Sequence, residues 1–303
     1  MKRNNTKRRY NPQRAQRGRK VTVKESNTLL PFLFQTLNDQ SKSSVKAILA
    51  HGQISVNGKV TTQFDTPLTP NDVVGISYER GKVAFNHPLL KIVWEDNYLV
   101  LVNKKEGLLS VGTEKEKERT AYNLLINYVK KTDPRNKIFI LHRLDKETSG
   151  LMLFAKNRGI QETLQADWGR LVTEQSYITV VEGRPERETD LLTSTLTNET
   201  DTRVIIAAEG DGAEAIARYK LKRSNGEYSL LEVHLESGRR NHIRMQLGRI
   251  GHPVAGDRKN GAESNPAGRL MLHAQKFSFI HPETKVEMCF DTQIPAAFTS
   301  LTK

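Results

Sequence analysis

Cysteine is almost missing from this 303-residue chain: Cys289 stands alone, which excludes an internal disulfide. Also missing is any run near the ~20 apolar residues that a membrane-spanning helix needs. The opening segment MKRNNTKRRYNPQRAQRGRK lacks the apolar stretch of a secretory signal. These absences set the expectation of a cytoplasmic protein. No P-loop pattern occurs, so nucleotide hydrolysis has no support, and no G-x-S-x-G elbow marks a serine hydrolase. His142, His242, His252, His273 and Asp257 show none of the tight spacings of a metal site. No segment repeats at a solenoid period. Acidic residues are absent from the first twenty positions, which hold nine lysines and arginines.

What is present is a globular composition with an uneven charge. Hydrophobic residues make up 37% of the chain, enough for one large and one small core. The net charge is +13, and residues 1–20 supply nine of those thirteen charges. Such a segment cannot fold alone, so residues 1–20 are expected to be a disordered basic arm suited to a polyphosphate. With no serine and few apolar residues, the arm does not read as a mitochondrial presequence.

Beyond the arm, Leu29, Leu30, Leu33, Phe34 and Leu37 recur at helical spacing, with Thr28 as a candidate N-cap and Pro31 in the first turn. Val45, Ile48 and Leu49 mark a second short helix. Ile54 and Val56 then alternate into Asn57-Gly58, a dipeptide that favours a tight hairpin. This unit, taken as residues 21–82, carries Lys42, Lys46 and Lys59 on or near its second helix and hairpin. It resembles the small α-L RNA-binding module, although Ser43 and Ser44 stand where that module usually has an arginine.

From about Asn86 many short strands and a few helices predict an α+β domain, residues 83–303, around a mixed, mainly antiparallel sheet with flanking helices. Two strands are expected on either side of Glu95-Asp96-Asn97, and a helix over Ala121 to Lys130. A further helix is expected to carry Ile160, Leu164 and Trp168 on one face. Gly210-Asp211-Gly212-Ala213-Glu214-Ala215 matches a dinucleotide fingerprint that should open a helix. Yet Ala213, Ala215, Ala217, Tyr219 and Leu221 alternate with polar residues, so the segment reads as a strand, without a pyrophosphate site.

Three stretches look chemical. HRLDKETSGL sets Arg143 and Asp145 in a charged turn between apolar runs; SYITVVEG puts Tyr177 at the head of a strand; SGRRNHIRMQLGRIGHPVAGD is dense in arginine. In the last, Ile243, Leu247 and Ile250 are expected to face the core from a helix starting near Arg239 and closed by Gly251. That leaves Arg239, Arg240, Arg244 and Arg249 on the other faces, as a reader of phosphate or carboxylate.

Together these stretches resemble the RluA-like family of pseudouridine synthases. HRLDKETSGL is similar to its H-R-L-D-x-x-T-S-G-L signature, EDNYLVLVNKKEGLLS to its first motif, YITVVEG to its tyrosine strand, and LMLHA with FIHPET to its C-terminal segment. The likeness spans about residues 90 to 295. Lys105 stands where a proline is usual, Gln175 where a lysine precedes the tyrosine by two, and Asn260 where a tyrosine follows Gly256-Asp257.

The resemblance implies an isomerase with RNA as its partner, acting on uridines of structured, most often large-subunit ribosomal, RNA. It implies no cofactor, since no redox change occurs; a monomer is expected. Asp145 would be the essential carboxylate, Arg244 its pairing cation, and Tyr177 the group that helps remove the proton from carbon 5. Arg143 would fill the space of a flipped nucleotide, with His142, Arg239, Lys42, Lys46 and Lys59 as further RNA contacts. Transfer RNA as substrate, an N-glycosidase using Asp145 and Glu147, and a non-catalytic RNA-binding or ribosome-assembly role stay open as alternatives.

Overall fold

The computed structural model describes residues 18–50, 52–77, 85–114, 116–200, 203–206, 213–237 and 242–303, with the backbone alone for 196–200, 203–206 and 213. The chain divides into a larger unit built from Asn86–Val129 and Arg135–Lys303, and a smaller one from described residues of Asn11–Phe85 and Lys130–Pro134.

In the smaller unit the elements are β1 (Gly18–Thr22), β2 (Asn27–Thr28), α1 (Leu29–Thr36), α2 (Lys42–Ala50), β3 (Ile54–Val56), β4 (Lys59–Val60), β5 (Pro67–Leu68) and β6 (Val73–Ser77). Both expected helices form, and Leu29, Leu33, Val45 and Leu49 bury against Ile54, Val74 and Ile76. Asn57 (φ 50°) and Gly58 (φ 82°) supply the two positive angles of the hairpin. The side chain of Asn57 also donates to Asp72 and accepts from the Val73 amide, which ties that hairpin to β6.

Residues 1–17 of the expected arm lie outside the described residues, but Gly18, Arg19 and Lys20 do not belong to an arm. They open β1, which pairs antiparallel with β6 from Gly18↔Ser77 to Thr22↔Val73. Backbone pairing is indifferent to side-chain charge, so basic composition alone misplaced this boundary. The other expected boundary, between 82 and 83, falls outside the described residues.

The larger unit contains β7 (Leu90–Glu95), β8 (Leu99–Lys104), α3 (Ala121–Lys130), β9 (Phe139–Ile140), β10 (Ser149–Ala155), α4 (Arg158–Ala166), α5 (Trp168–Leu171), β11 (Val172–Glu182) and β12 (Thr189–Thr200). It continues with β13 (Arg203–Ile206), β14 (Ala213–Ser224), β15 (Tyr228–Ser237), α6 (His242–Arg249), β16 (Leu272–Ile280), β17 (Glu287–Asp291) and α7 (Ala296–Leu301). The strands form one sheet in the order β13-β12-β14-β15-β11-β16-β10-β8-β7, with β9 on β10 and β17 on β16. The fold is α+β, and the sheet is antiparallel except where β10 meets β16. As the alternation predicts, β14 buries Ala215, Ala217 and Tyr219 and exposes Glu214, Arg218 and Lys220.

Two expected helices differ in detail. The helix through Ile160 and Leu164 ends at Ala166. Asp167 (φ −135°) breaks it, and its carbonyl accepts from the Arg170 and Leu171 amides to start a new turn. Trp168 therefore opens α5 instead of continuing α4, and still packs against the cluster that holds Ile160 and Leu164. Second, Ile250 is 40% exposed, because α6 stops at Arg249 and the chain turns away at Gly251 before Ile250 reaches the core. Residues 238–241, the expected start of that helix, lie outside the described residues.

The parallel contact between β10 and β16 is tight. Ser149 pairs with His273 and Gly150 with Ala274. Gly150 has φ +118°, and a β-carbon there would sit 2.2 Å from the Ala274 carbonyl oxygen. Gly150→Ala is expected to cost about 3 kcal/mol or more, from strained φ together with backbone overlap. Urea denaturation monitored by circular dichroism checks this; an unshifted midpoint would mean that the two strands separate freely at this point.

Candidate active site

The loop between β9 and β10 carries His142, Arg143 and Asp145, and it is held from beneath by the chain that follows β8. The Ser110 hydroxyl donates to the Leu144 carbonyl (2.5 Å) and accepts from the Leu144 amide (3.1 Å). Lys104, wholly buried, donates to the carbonyls of Lys105 (3.1 Å), Leu108 (2.9 Å) and Lys146 (3.2 Å), and the Gly107 amide donates to the Lys146 carbonyl as well. Three N–H donors meet three carbonyls, so the ammonium is satisfied without water. Burial pushes its pKa down to about 8, while Asp145, Glu147 and Glu106 pull the other way. Asp145 thus sits between two residues whose backbones are clamped.

Its carboxylate faces Arg244, whose Nη1 donates to Asp145 Oδ2 at 2.9 Å. Nε and Nη2 of the same guanidinium donate to the two oxygens of Asp257, each at 2.6 Å. Asn260 donates to Asp257 at 2.7 Å. Side-chain exposure falls from 16% at Asp145 through 13% at Arg244 to 1% at Asp257. Burial opposes the charge of Arg244, but the hydrogen bonds and charge of Asp257, then of Asp145, outweigh it and hold its pKa above the ordinary value.

A pocket of about 450 Å³ opens over this pair. Tyr177 lines it, and burial, reinforced by the Asp145 charge, raises its phenol far above the ordinary range, so it stays protonated. His142 lines it too, stacked on Phe277 (5.0 Å between centroids, planes 6° apart) and accepting from the Leu153 amide at Nε2. Burial lowers its pKa to about 4, so it is a neutral wall of the pocket rather than a cation for phosphate. Arg143 is exposed and lines the pocket.

Of the expected residues, the structure brings together Asp145, Tyr177, Arg244, His142 and Arg143. Arg244, expected off the core face as a reader of phosphate or carboxylate, meets two carboxylates that draw it inward. Arg239 lies outside the described residues. Lys42, Lys46 and Lys59 are exposed on the smaller unit, with the Lys42 ammonium 5.9 Å from the Phe34 ring centre. Sequence reasoning missed the support supplied by Lys104, Ser110 and Asp257. A lysine ending the apolar strand LVLVNK was the available signal for the first. It also missed Trp168, Gln165 and Gln175 as pocket walls. Among the described residues no three His, Cys, Asp or Glu side chains converge as a metal site requires.

A family model for RNA pseudouridylate synthase matches residues 98–248, which include the Asp145 loop, Tyr177 and Arg244. The chain is 27% identical over 257 residues to the uncharacterized RNA pseudouridine synthase YjbO of Bacillus subtilis, covering 83% of this chain and 90% of that one. It is 26% identical over 302 residues to the ribosomal large subunit pseudouridine synthase D of Vibrio cholerae, covering 93% of each. The chain belongs to the RluA-like family of RNA pseudouridine synthases. Its fold agrees: human RNA pseudouridylate synthase domain containing 4 superposes with a TM-score of 0.56 at 19% identity, covering 69% of this chain and 90% of that one. The protein is an isomerase, and its substrate is RNA.

For this synthase the clasp under the Asp145 loop is open to test. Ser110→Ala strips the partner from a buried amide and a buried carbonyl of Leu144, which is expected to cost about 1–3 kcal/mol. The loosened Asp145 should lower kcat while RNA affinity holds. Thermal unfolding beside single-turnover kinetics decides; a lowered melting temperature with an unchanged rate would confine the clasp to stability.

Proposed function

We propose that the protein converts uridine to pseudouridine in large-subunit ribosomal RNA, in the cytoplasm and as a monomer, with Asp145 as the reacting carboxylate. The observation that carries the assignment is the ion pair of Asp145 with a guanidinium already anchored by Asp257, at the base of a pocket large enough for a nucleotide. The substrate class draws on the V. cholerae relative, which is named for the large ribosomal subunit.

The reaction breaks the bond from uracil N1 to the ribose, turns the base, and joins carbon 5 to the same sugar carbon. A stacked uridine cannot enter a pocket of this kind, so the nucleotide leaves the helix first and Arg143 occupies its place. Arg244 keeps the Asp145 carboxylate oriented toward the sugar or base. Tyr177, being a phenol, assists loss of the carbon-5 proton by passing its own proton to a carboxylate as it accepts the carbon-bound one. Affinity comes from elsewhere: Lys42, Lys46 and Lys59 on a small α-L-like unit, Arg239, and the basic residues 1–17, all of which would meet phosphate.

Asp145→Asn is expected to abolish tritium release from 5-labelled uridine while RNA binding stays within a few fold, because affinity rests on phosphate contacts and rate on one carboxylate. In cells lacking the protein, pseudouridine mapping of total RNA should show a large-subunit site restored by the wild type and not by this variant. Retention of a tenth of the activity would remove Asp145 from its role, and a lost site in transfer RNA would reassign the substrate.

Deleting residues 1–17 removes seven cations. If half of them neutralise phosphates, the slope of log affinity against log salt should flatten by about two to three units. The single-turnover rate at saturating RNA should hold. An unchanged slope would leave these residues no part in RNA binding.

A further inference from the structure

Gln175 and Tyr177 lie two residues apart on β11 and both line the pocket. A register shift against β16 falls between Ser176 and Tyr177, a bulge that re-aims side chains beside the site. Several polar walls of the pocket are already committed: His142 to a backbone amide, Asp145 and Arg244 to each other, and Gln165 to the Ile140 carbonyl. The Gln175 amide makes no hydrogen bond to another described residue. It is also a neutral group at a position where the family usually has a cation, so phosphate attraction does not explain it.

We propose that Gln175 holds the imide edge of the target uracil throughout the isomerisation, an inference that rests on the proposed reaction and deepens it. Uracil presents O4, N3–H and O2 along one edge. Turning the ring by half a turn about the axis through N3 and C6 exchanges N1 with C5 and O2 with O4, and leaves N3–H in place. An amide that accepts from N3–H and donates to the neighbouring carbonyl therefore meets the same pattern before and after the turn. Cytosine does not offer this, because the same rotation replaces its amino group by a carbonyl. With the sugar at Asp145, Gln175 stands about 7 Å beyond Tyr177 along the strand, far enough to reach the edge opposite the reacting bond. Trp168, Leu235 and Leu272 supply apolar walls for the ring.

The test pairs two variants with RNA carrying uridine or 3-methyluridine at the target. On uridine, Gln175→Ala and Gln175→Met should each lose about tenfold to hundredfold in rate, as expected for a bidentate amide contact, with the loss in kcat rather than in RNA affinity. On 3-methyluridine the wild type should be slow and Gln175→Ala at least as fast, because the methyl group fills the space left by the amide. Gln175→Met, of similar length, should show no such rescue. Products are separated as pseudouridine and 3-methylpseudouridine nucleosides. Equal losses for Gln175→Ala on both substrates, or no loss on uridine, would overturn the inference and leave the reaction standing. A wild type that forms no pseudouridine from uridine RNA would overturn the reaction itself.

Discussion

The site depends on Arg244 being held from behind. Asp257 takes two of its donors and is almost completely buried, so the guanidinium plane is set before Asp145 is considered. A lone buried guanidinium would be costly, and so would a lone buried carboxylate; as a pair they offset each other. Of the donors that remain, Nη1 gives one to Asp145. The Asp145 carboxylate is thus positioned by a cation whose own neutralisation does not rely on it. The charge of Asp145 stays available to the pocket.

A second constraint fixes the backbone on which Asp145 rides. The β8 loop reaches under it through Lys104, Gly107 and Ser110, and none of these contacts uses the Asp145 side chain. Next to it a polar chain, buried at its middle, runs from half-exposed Glu106 to Arg269, from Arg269 to Ser149 (2.7 Å), from Ser149 to His273 (2.8 Å) and from His273 to Thr292 (2.8 Å). Burial, then the Arg269 charge, pushes His273 down to about 4, so this histidine is a neutral link. Ser149 and His273 are also register partners across the parallel contact between β10 and β16. The residue that ends the signature loop is therefore tied both through its backbone and through its hydroxyl. Such satisfied networks rigidify a site, whereas half-satisfied ones weaken it.

The two units divide in composition as well. The smaller has a modest aliphatic core and exposed lysines. The larger buries two extensive clusters, one around β11, β14 and β15 and one around β8, β10 and the aromatic residues of β16.

Much of this was legible in the sequence because it is local. Period-two alternation put Ala213 to Leu221 in a strand against a tempting fingerprint, helical spacing found α1, α2 and α3, and Asn57-Gly58 announced its hairpin. The Arg143–Asp145 turn stood out because charged residues interrupt apolar runs. Tertiary structure decided what depends on partners distant in the chain. Helical spacing left Arg244 off the core face as a reader of phosphate or carboxylate; only Asp145 and Asp257, brought from other segments, fix which carboxylates it reads and make burial of its charge favourable. Lys104 looked like the end of a strand, yet three carbonyls from two loops turn it into a buried clasp. His142 was written as a histidine of the signature loop, and only Phe277 and the Leu153 amide make it a neutral wall of the pocket. Trp168 left its expected helix because one aspartate broke the turn. In each case side-chain type is written in the sequence, while the partner that sets its ionisation and direction is chosen only when the sheet brings distant strands and loops together.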